Sequence, residues 1–170
     1  MASRPPTDEE LDAAARRLGR TLTANGWQMA AAESCTGGML GHAITQVPKS
    51  SDHYLGGIVS YSNMAKEELL DVPGDLIERV GAVSAEVAEA MTAGTLARFP
   101  AARLAVSVTG IAGPDGGNED KPVGLTYVAA ALRDGPAVVE RHTWPHDRDG
   151  NKRASVLAAL ELATRVGREA

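Results

Sequence analysis

A serine, a tyrosine and a lysine with the makings of a catalytic group lie close together in residues 50–66. Ser51 sits in a hydroxyl-rich loop, Tyr61 ends an apolar run, and Lys66 follows shortly after. A serine hydroxyl becomes a nucleophile only when a neighbouring base takes its proton. A lysine can be that base if its pKa falls from about 10.4 towards ~7–8. The working hypothesis is therefore that Lys66 activates Ser51, with Tyr61 between them.

Cys35, the single cysteine, is a competing nucleophile. It follows Ser34 and comes just before a predicted helix. The partial positive charge at a helix N-terminus favours a thiolate, but no partnered base accompanies this thiol in the sequence. Buried thiols also commonly pack as small apolar groups. A Cys35-dependent hydrolase is kept as an alternative.

Two glycine-rich segments can bring backbone amides close to a ligand. The first, Thr36-Gly37-Gly38, joins a strand to a helix, where amides favour phosphate or carboxylate. The second, residues 110–122, is a loop too long and too rich in glycine to be idle in a small domain. A dinucleotide-binding reading is rejected because Thr36 replaces the first glycine of its fingerprint. The plainer alternative is that Ser34 or Thr36 caps the helix.

Metal chemistry is disfavoured by the arrangement of the histidines. His142 and His146 are separated by Pro145, which prevents a helix from presenting both to one metal. The acidic residues of the long loop do not have EF-hand spacing. We therefore predict neither a metal nor a cofactor. His53 lies near Ser51 in the chain and stays open as a base.

Alternating strands and helices must position these residues. A capping box, Thr7 with Glu10, starts a helix that ends at Asn25-Gly26. Asp134-Gly135 marks an antiparallel hairpin between the last two strands. The apolar patterns predict strands at residues 27–32, 56–61, 104–109, 123–132 and 137–144, and helices at residues 39–47, 62–71, 75–80, 84–98 and 156–167. This order predicts an α/β domain with a mixed sheet.

Bulk properties indicate one domain, residues 1–170, with residues 1–6 expected to be disordered. The net charge of −5 and pI near 5.4 give no electrostatic footprint for nucleic acid. The N-terminus lacks the apolar core of a signal peptide, and no run approaches the ~18 apolar residues of a membrane span. We expect a cytoplasmic protein without nucleic-acid or membrane partners.

Several motifs, in order along nearly the whole chain, resemble the CinA C-terminal domain family, the nicotinamide-nucleotide amidohydrolases (NMN deamidases). They are Ala32-Glu33-Ser34-Cys35-Thr36-Gly37-Gly38, Ser60-Tyr61-Ser62-Asn63-Met64-Ala65-Lys66, Gly81-Ala82-Val83-Ser84, residues 110–117, and Lys121-Pro122-Val123-Gly124. The resemblance implies a stand-alone form with a three-layer α/β/α sandwich on a mixed sheet of about five strands and a C-terminal antiparallel hairpin. It implies hydrolysis of nicotinamide mononucleotide to nicotinic acid mononucleotide and ammonia, in pyridine nucleotide recycling, without a metal.

The resemblance also implies roles for individual residues. The catalytic set falls on Ser51, Tyr61 and Lys66. The positions expected to contact substrate are Ser34, Thr36, Gly37, Gly38, Thr109, Gly110, Gly113 and Arg148. Arg148 is expected either to lower the Lys66 pKa or to bind phosphate. A non-catalytic nucleotide-binding or competence-associated module is the second alternative, and a homodimer or higher homo-oligomer is expected.

Overall fold

A computed structural model describes residues 4–170; of the segment expected to be disordered, residues 1–3 therefore lie outside the description. Six helices and five strands follow one another along the chain. The helices are α1 (Asp8–Asn25), α2 (Met39–Thr45), α3 (Asn63–Leu70), α4 (Gly74–Val80), α5 (Ala85–Arg98) and α6 (Arg148–Arg168). The strands are β1 (Met29–Glu33), β2 (Tyr54–Val59), β3 (Leu104–Gly110), β4 (Leu125–Leu132) and β5 (Val138–Thr143).

Helix α1 begins and ends as its sequence predicts. The Thr7 side chain accepts a hydrogen bond from the Glu10 amide, and the Glu10 carboxylate accepts one from the Thr7 amide. Gly26 closes the helix in the left-handed conformation, with φ of 67°. Arg4, just before the helix, pairs with Glu10.

The five strands form one mixed sheet in the order β2-β1-β3-β4-β5. Strand β1 pairs in parallel with β2 and β3, whereas β3–β4 and β4–β5 are antiparallel. The predicted C-terminal hairpin is therefore confirmed as β4–β5. Because β1 and β3 are inner strands with both faces covered, every β1 residue is buried.

Helices cover both faces of the sheet, which confirms the α/β/α layers. Helices α1, α2 and α6 pack on one face around a large core that includes Leu18, Leu22 and Leu160. Helices α3, α4 and α5 pack on the other face around a smaller core that includes Leu70, Ile77 and Met91. No helix among the described residues is both long and apolar enough to span a bilayer.

The parallel pairing brings the carboxyl ends of β1, β2 and β3 to the same end of the sheet. Glu33 pairs with Val59 and with Val108, so β1 and β2 end at the same level and β3 ends two residues later, at Gly110. The residues that follow these strands begin the Ser34–Gly38 turn, the segment leading into α3, and the long loop between β3 and β4. Loops at the carboxyl ends of parallel strands are the usual place for a binding site in open α/β sheets.

Candidate active site

The side chain of Lys66 contacts Ser34 at the carboxyl ends of these strands. Its Nζ atom lies 2.9 Å from Ser34 Oγ, 2.9 Å from the Ser60 carbonyl oxygen and 3.1 Å from the Tyr61 carbonyl oxygen. Both carbonyls can only accept hydrogen bonds. A neutral lysine would direct its two N–H bonds at them and leave its lone pair facing the Ser34 hydroxyl. The arrangement therefore forms a serine–lysine pair.

Local structure explains how each partner reaches the other. Successive residues of a strand point to opposite faces, so Glu33 is directed to the α2 layer and Ser34, one position on, to the α3 layer. The Ser62 hydroxyl caps α3 by accepting from the Ala65 amide, which places Lys66 in the first turn. Lys66 is 1% exposed, and this burial lowers the pKa of its ammonium group below the ordinary value.

Ser51 is not part of this pair, which corrects the hypothesis that Lys66 lies beside Ser51 and activates it. It lies in a short 3₁₀ turn, Ser50–Asp52, that precedes β2. The start of β2 pairs with the start of β1, and Lys66 contacts residues beyond the other end of β2. The length of β2, about 20 Å at 3.3 Å per residue, separates them. Ser51 is exposed at the opposite end of the strands, where β1 and β2 begin.

Tyr61 and Arg148 meet at the rim of the site. Tyr61 contacts Lys66 through its backbone carbonyl, not through its hydroxyl. Its hydroxyl accepts a bond of 3.3 Å from Arg148, whose other terminal nitrogen donates to the Gly113 carbonyl at 2.6 Å. The predicted role of Arg148 in lowering the Lys66 pKa has no support here, because desolvation causes that shift. Arg148 joins the two walls of the site.

A cavity of about 290 Å³ opens beside the serine–lysine pair, close to the lower limit for small-molecule sites. It brings together seven of the residues singled out from the sequence: Ser34, Tyr61, Lys66, Thr109, Gly110, Gly113 and Arg148. Asn63, Asp115 and Cys35 also line it. Cys35 is the alternative nucleophile and Asp115 lies in the second glycine-rich segment, whereas no role was expected for Asn63. Thr36, Gly37 and Gly38 are not among its lining residues, nor is Ser51.

The turn at Thr36-Gly37-Gly38 is directed towards Glu33 instead. The Glu33 carboxylate is buried and accepts bonds from the Thr36 hydroxyl and from the Leu40 and Gly41 amides. Glu33 is therefore the anion at the start of α2, and neither Ser34 nor Thr36 caps that helix. Because the Leu40 and Gly41 amides already have a carboxylate partner, the start of α2 is a poor cradle for a substrate phosphate.

The second glycine-rich segment forms one wall of the cavity. Thr109 donates to the Ala82 carbonyl at 2.8 Å, and Lys121 donates to the Val80 and Val83 carbonyls. These bonds tie the end of β3 and the β3–β4 loop to the end of α4 and the loop that follows it. Gly110 has no room for a side chain, because a Cβ there would lie 2.7 Å from the Thr126 hydroxyl and 3.1 Å from Cys35 Sγ.

Cys35 is a poor nucleophile in this environment. It is buried, and desolvation raises the pKa of its thiol to about 12. A thiol with that pKa is protonated at neutral pH and unreactive. Within residues 4–170, no three His, Cys, Asp or Glu side chains converge on a possible metal site.

The serine partner of Lys66 was missed because Ser51 and Lys66 are close in sequence, whereas Ser34 and Lys66 are close in space. One signal could have identified Ser34. It directly follows one buried strand, and Lys66 lies near the start of the helix that follows the next strand. If those strands are taken as parallel neighbours, their carboxyl ends coincide and bring the two side chains together.

Comparison with known proteins gives a consistent match over most of the chain. The family model described as "CinA C-terminal domain" matches residues 11–166. A "CinA-like protein" of Citrifermentans bemidjiense is 49% identical over 92% of this chain, which covers only 37% of that protein. The chain spans well under half the length of such longer curated relatives.

Shorter relatives match end to end. "Nicotinamide-nucleotide amidohydrolase PncC" of Pseudomonas putida is 47% identical over 91% of this chain and 96% of its own length. Among solved structures, the competence/damage inducible protein CihA from Agrobacterium tumefaciens superposes with a TM-score of 0.90 at 38% identity. That superposition covers 96% of this chain and 98% of the other.

Proposed function

Because this chain belongs to the CinA C-terminal domain family, we propose that it is an amidohydrolase that converts nicotinamide mononucleotide to nicotinic acid mononucleotide and ammonia. The observation that carries the proposal is the contact between Lys66 Nζ and Ser34 Oγ beside a cavity. The full-length similarity to a nicotinamide-nucleotide amidohydrolase supports the choice of substrate. In this proposal Ser34, and not Ser51, is the nucleophile.

The first half of the reaction makes an ester. Neutral Lys66 takes the Ser34 proton, and Oγ attacks the carboxamide carbon of the substrate. The carbonyl π electrons move to oxygen and give a tetrahedral oxyanion. The Lys66 ammonium then returns the proton to the amide nitrogen, the C–N bond breaks, and ammonia leaves. Ser34 is left carrying the nicotinoyl group.

The second half of the reaction releases the product. Lys66, neutral again, takes a proton from a water molecule that attacks the ester carbon. The second tetrahedral intermediate collapses, the Ser34 Oγ–C bond breaks, and the serine recovers a proton from Lys66. The product is nicotinic acid mononucleotide, whose carboxylic acid releases its proton to solvent and leaves as the carboxylate. The Ser60 and Tyr61 carbonyls keep the lysine aimed at Ser34 through both halves.

Two rim residues suit a pyridine nucleotide. The pyridine ring of the substrate is cationic, and the face of an aromatic ring attracts cations. Tyr61 offers such a face, since its side chain is 60% exposed and borders the cavity. Arg148 uses two terminal nitrogens for protein contacts, and a guanidinium has five N–H donors, so others remain for the phosphate.

The test is ammonia release from nicotinamide mononucleotide by the purified chain and three variants. Ser34→Ala and Lys66→Met are expected to abolish turnover. Ser51→Ala, at the opposite end of the strands, is expected to retain it. Ser51→Ala is the matched control because it removes the same hydroxyl group. Activity in Ser34→Ala together with its loss in Ser51→Ala would contradict the assignment.

The wild-type result decides whether the protein is an amidohydrolase or a non-catalytic nucleotide-binding module. Ammonia release with a nicotinic acid mononucleotide product supports the amidohydrolase. Binding of the nucleotide without any ammonia would favour the non-catalytic nucleotide-binding module.

A further inference from the structure

The β3–β4 loop contains a buried peptide group, Ala112–Gly113, whose carbonyl has a hydrogen-bond partner and whose N–H has none among the described residues. Ala112 and Gly113 are both buried and both line the cavity. The Ala112 carbonyl accepts a 2.9 Å bond from Asn151 Nδ2. The Gly113 N–H, at the other end of the same peptide group, has no acceptor anywhere in residues 4–170. A buried backbone N–H without a partner is rare in folded proteins and calls for an explanation.

Asn151 holds this peptide group in one orientation. It lies in the first turn of α6, is 1% exposed, and accepts a 3.1 Å bond from the His146 amide through Oδ1. The two bonds fix which end of the side-chain amide carries oxygen and which carries nitrogen. In a trans peptide, C=O and N–H point in opposite directions. With its carbonyl held towards α6 by Asn151, the peptide directs the Gly113 N–H away from that helix.

Other contacts keep the loop from turning over. The Gly113 carbonyl is bound by Arg148, and the Ile111 carbonyl accepts from the Gly124 amide. Gly113 has φ of 86°, and a Cβ there would collide with the Val123 side chain. The loop therefore presents a fixed N–H donor in the wall of the cavity that holds Ser34.

We propose that the Gly113 N–H donates to the substrate carbonyl oxygen as it becomes the oxyanion, and that Asn151 is the positioning residue that aims this N–H. The inference rests on the proposed amidohydrolase function. A backbone donor fixed before the reaction stabilises the developing charge without reorganisation, and loss of one such donor typically lowers kcat about 10²–10³-fold. Asn151 touches no reacting atom and acts only through the Ala112–Gly113 peptide.

Asn151→Asp is the sharpest change. The carboxylate has nearly the same shape and can still accept from the His146 amide. It cannot donate to the Ala112 carbonyl, which it repels, so the peptide loses the bond that aims the Gly113 N–H. We expect kcat for nicotinamide mononucleotide to fall about 10²-fold or more while KM changes only a few-fold. Asn151→Ala serves as the second variant if the aspartate form does not fold.

A tetrahedral inhibitor separates positioning from simple damage to the fold. In pyridine-3-aldehyde mononucleotide, Ser34 Oγ adds to the aldehyde carbon, its proton goes to Lys66, and the carbonyl oxygen becomes an oxyanion. Its inhibition constant should rise in Asn151→Asp by about the same factor as kcat falls. Ser155→Ala is the matched control, since Ser155 lies one turn further along α6 in the same buried hydrogen-bond network. Ser155→Ala should lower stability and leave kcat and the inhibition constant of the aldehyde near their wild-type values.

Three outcomes would overturn the inference. One is an Asn151→Asp protein with wild-type kcat. Another is equal weakening of substrate and aldehyde binding. The third is weakened binding of the nucleotide with no effect on the riboside that lacks phosphate, which would place the Gly113 N–H on the phosphate. Wild-type protein that releases no ammonia would instead overturn the proposed function.

Discussion

At the scale of single residues, the proposed chemistry depends on Lys66 being neutral while it is buried. Its ammonium form would have Ser34 and two backbone carbonyls as partners, and these acceptors stabilise positive charge. Burial acts in the opposite direction and dominates, so the pKa of Lys66 lies below its ordinary value. The lysine therefore becomes a usable base at a lower pH than an exposed lysine would.

The pH dependence of turnover follows from this shift. The base must be unprotonated, so kcat/KM should rise with pH through the lowered pKa of Lys66 and level off above it. The rising limb should lie below pH 10.5, the ordinary lysine value. A pH–rate profile of ammonia release checks this. A limb at or above the ordinary value would mean that Lys66 is not desolvated in solution.

A second prediction concerns Cys35. Because its thiol pKa is raised to about 12, it carries no thiolate at neutral pH. Cys35→Ala should keep kcat within a few-fold of wild type, and the wild-type enzyme should resist iodoacetamide while folded. Loss of all turnover in Cys35→Ala, with the variant still folded by circular dichroism, would reinstate the thiol as nucleophile.

At the scale of elements, helix α3 must be held in place for Lys66 to reach Ser34. Gly94 of α5 lets the two helices approach closely, because a Cβ at Gly94 would overlap the Leu70 carbonyl at the end of α3. The contact is backbone against backbone, so no side chain can move aside to make room. Any added volume must displace α3 itself.

Gly94→Ala should therefore harm both stability and catalysis. We expect a loss of about 1–3 kcal/mol from overpacking, despite the better helix propensity of alanine. A lysine displaced by a fraction of an ångström should lower kcat about 10- to 100-fold. Gly135→Ala is the control, since its Cβ would meet only ordinary contacts, at 3.5 Å from the Leu132 carbonyl. Urea unfolding and ammonia release measure the two effects, and an unchanged kcat would contradict this account.

The sequence predicted most elements because their signals are local. The Thr7 capping box, the apolar strands and the Asp134-Gly135 turn each depend on neighbouring residues, and each is found in the structure. The order of strands is not a local property. Nothing in residues 50–66 indicates that β2 is an edge strand lying parallel to β1, and that pairing is what selects Ser34 over Ser51 as the partner of Lys66.

At the scale of the whole molecule, His53 joins the Ser50–Asp52 turn to α1. Its ring packs against Gly19, where a Cβ would lie 2.9 Å from His53 Cε1, and its carbonyl accepts from the Met29 amide. The ring is buried, and desolvation lowers the pKa of His53 in spite of the neighbouring Asp52. The folded protein therefore favours the neutral ring.

This histidine should make the fold acid-sensitive. The unfolded chain binds a proton near the ordinary pKa of 6.5, and the folded chain does so only at lower pH. Stability from this group is complete above about pH 6.5 and is lost as the pH falls towards the lowered folded pKa. Between pH 7.5 and pH 5.5, the urea midpoint should fall further for wild type than for His53→Gln. Equal losses in the two proteins would show that His53 does not contribute.

The expected homodimer stays a prediction, since the structure describes one chain. Sedimentation velocity at several protein concentrations measures it. A single species at the monomer mass of 17.7 kDa would contradict the expectation.

The division of the site along the chain has a consequence for how such a protein can change. Ser34 and Lys66 both come from the stretch that ends with α3, whereas the opposite wall comes from the β3–β4 loop and the start of α6. Substitutions in the later part can reshape what the cavity accepts without disturbing the bond-breaking pair. Relatives could thus diverge in the amide they recognise while keeping one inherited reaction. Grafting residues 115–123 between them, with Gly113 and Asn151 left in place, would transfer substrate preference separately from rate.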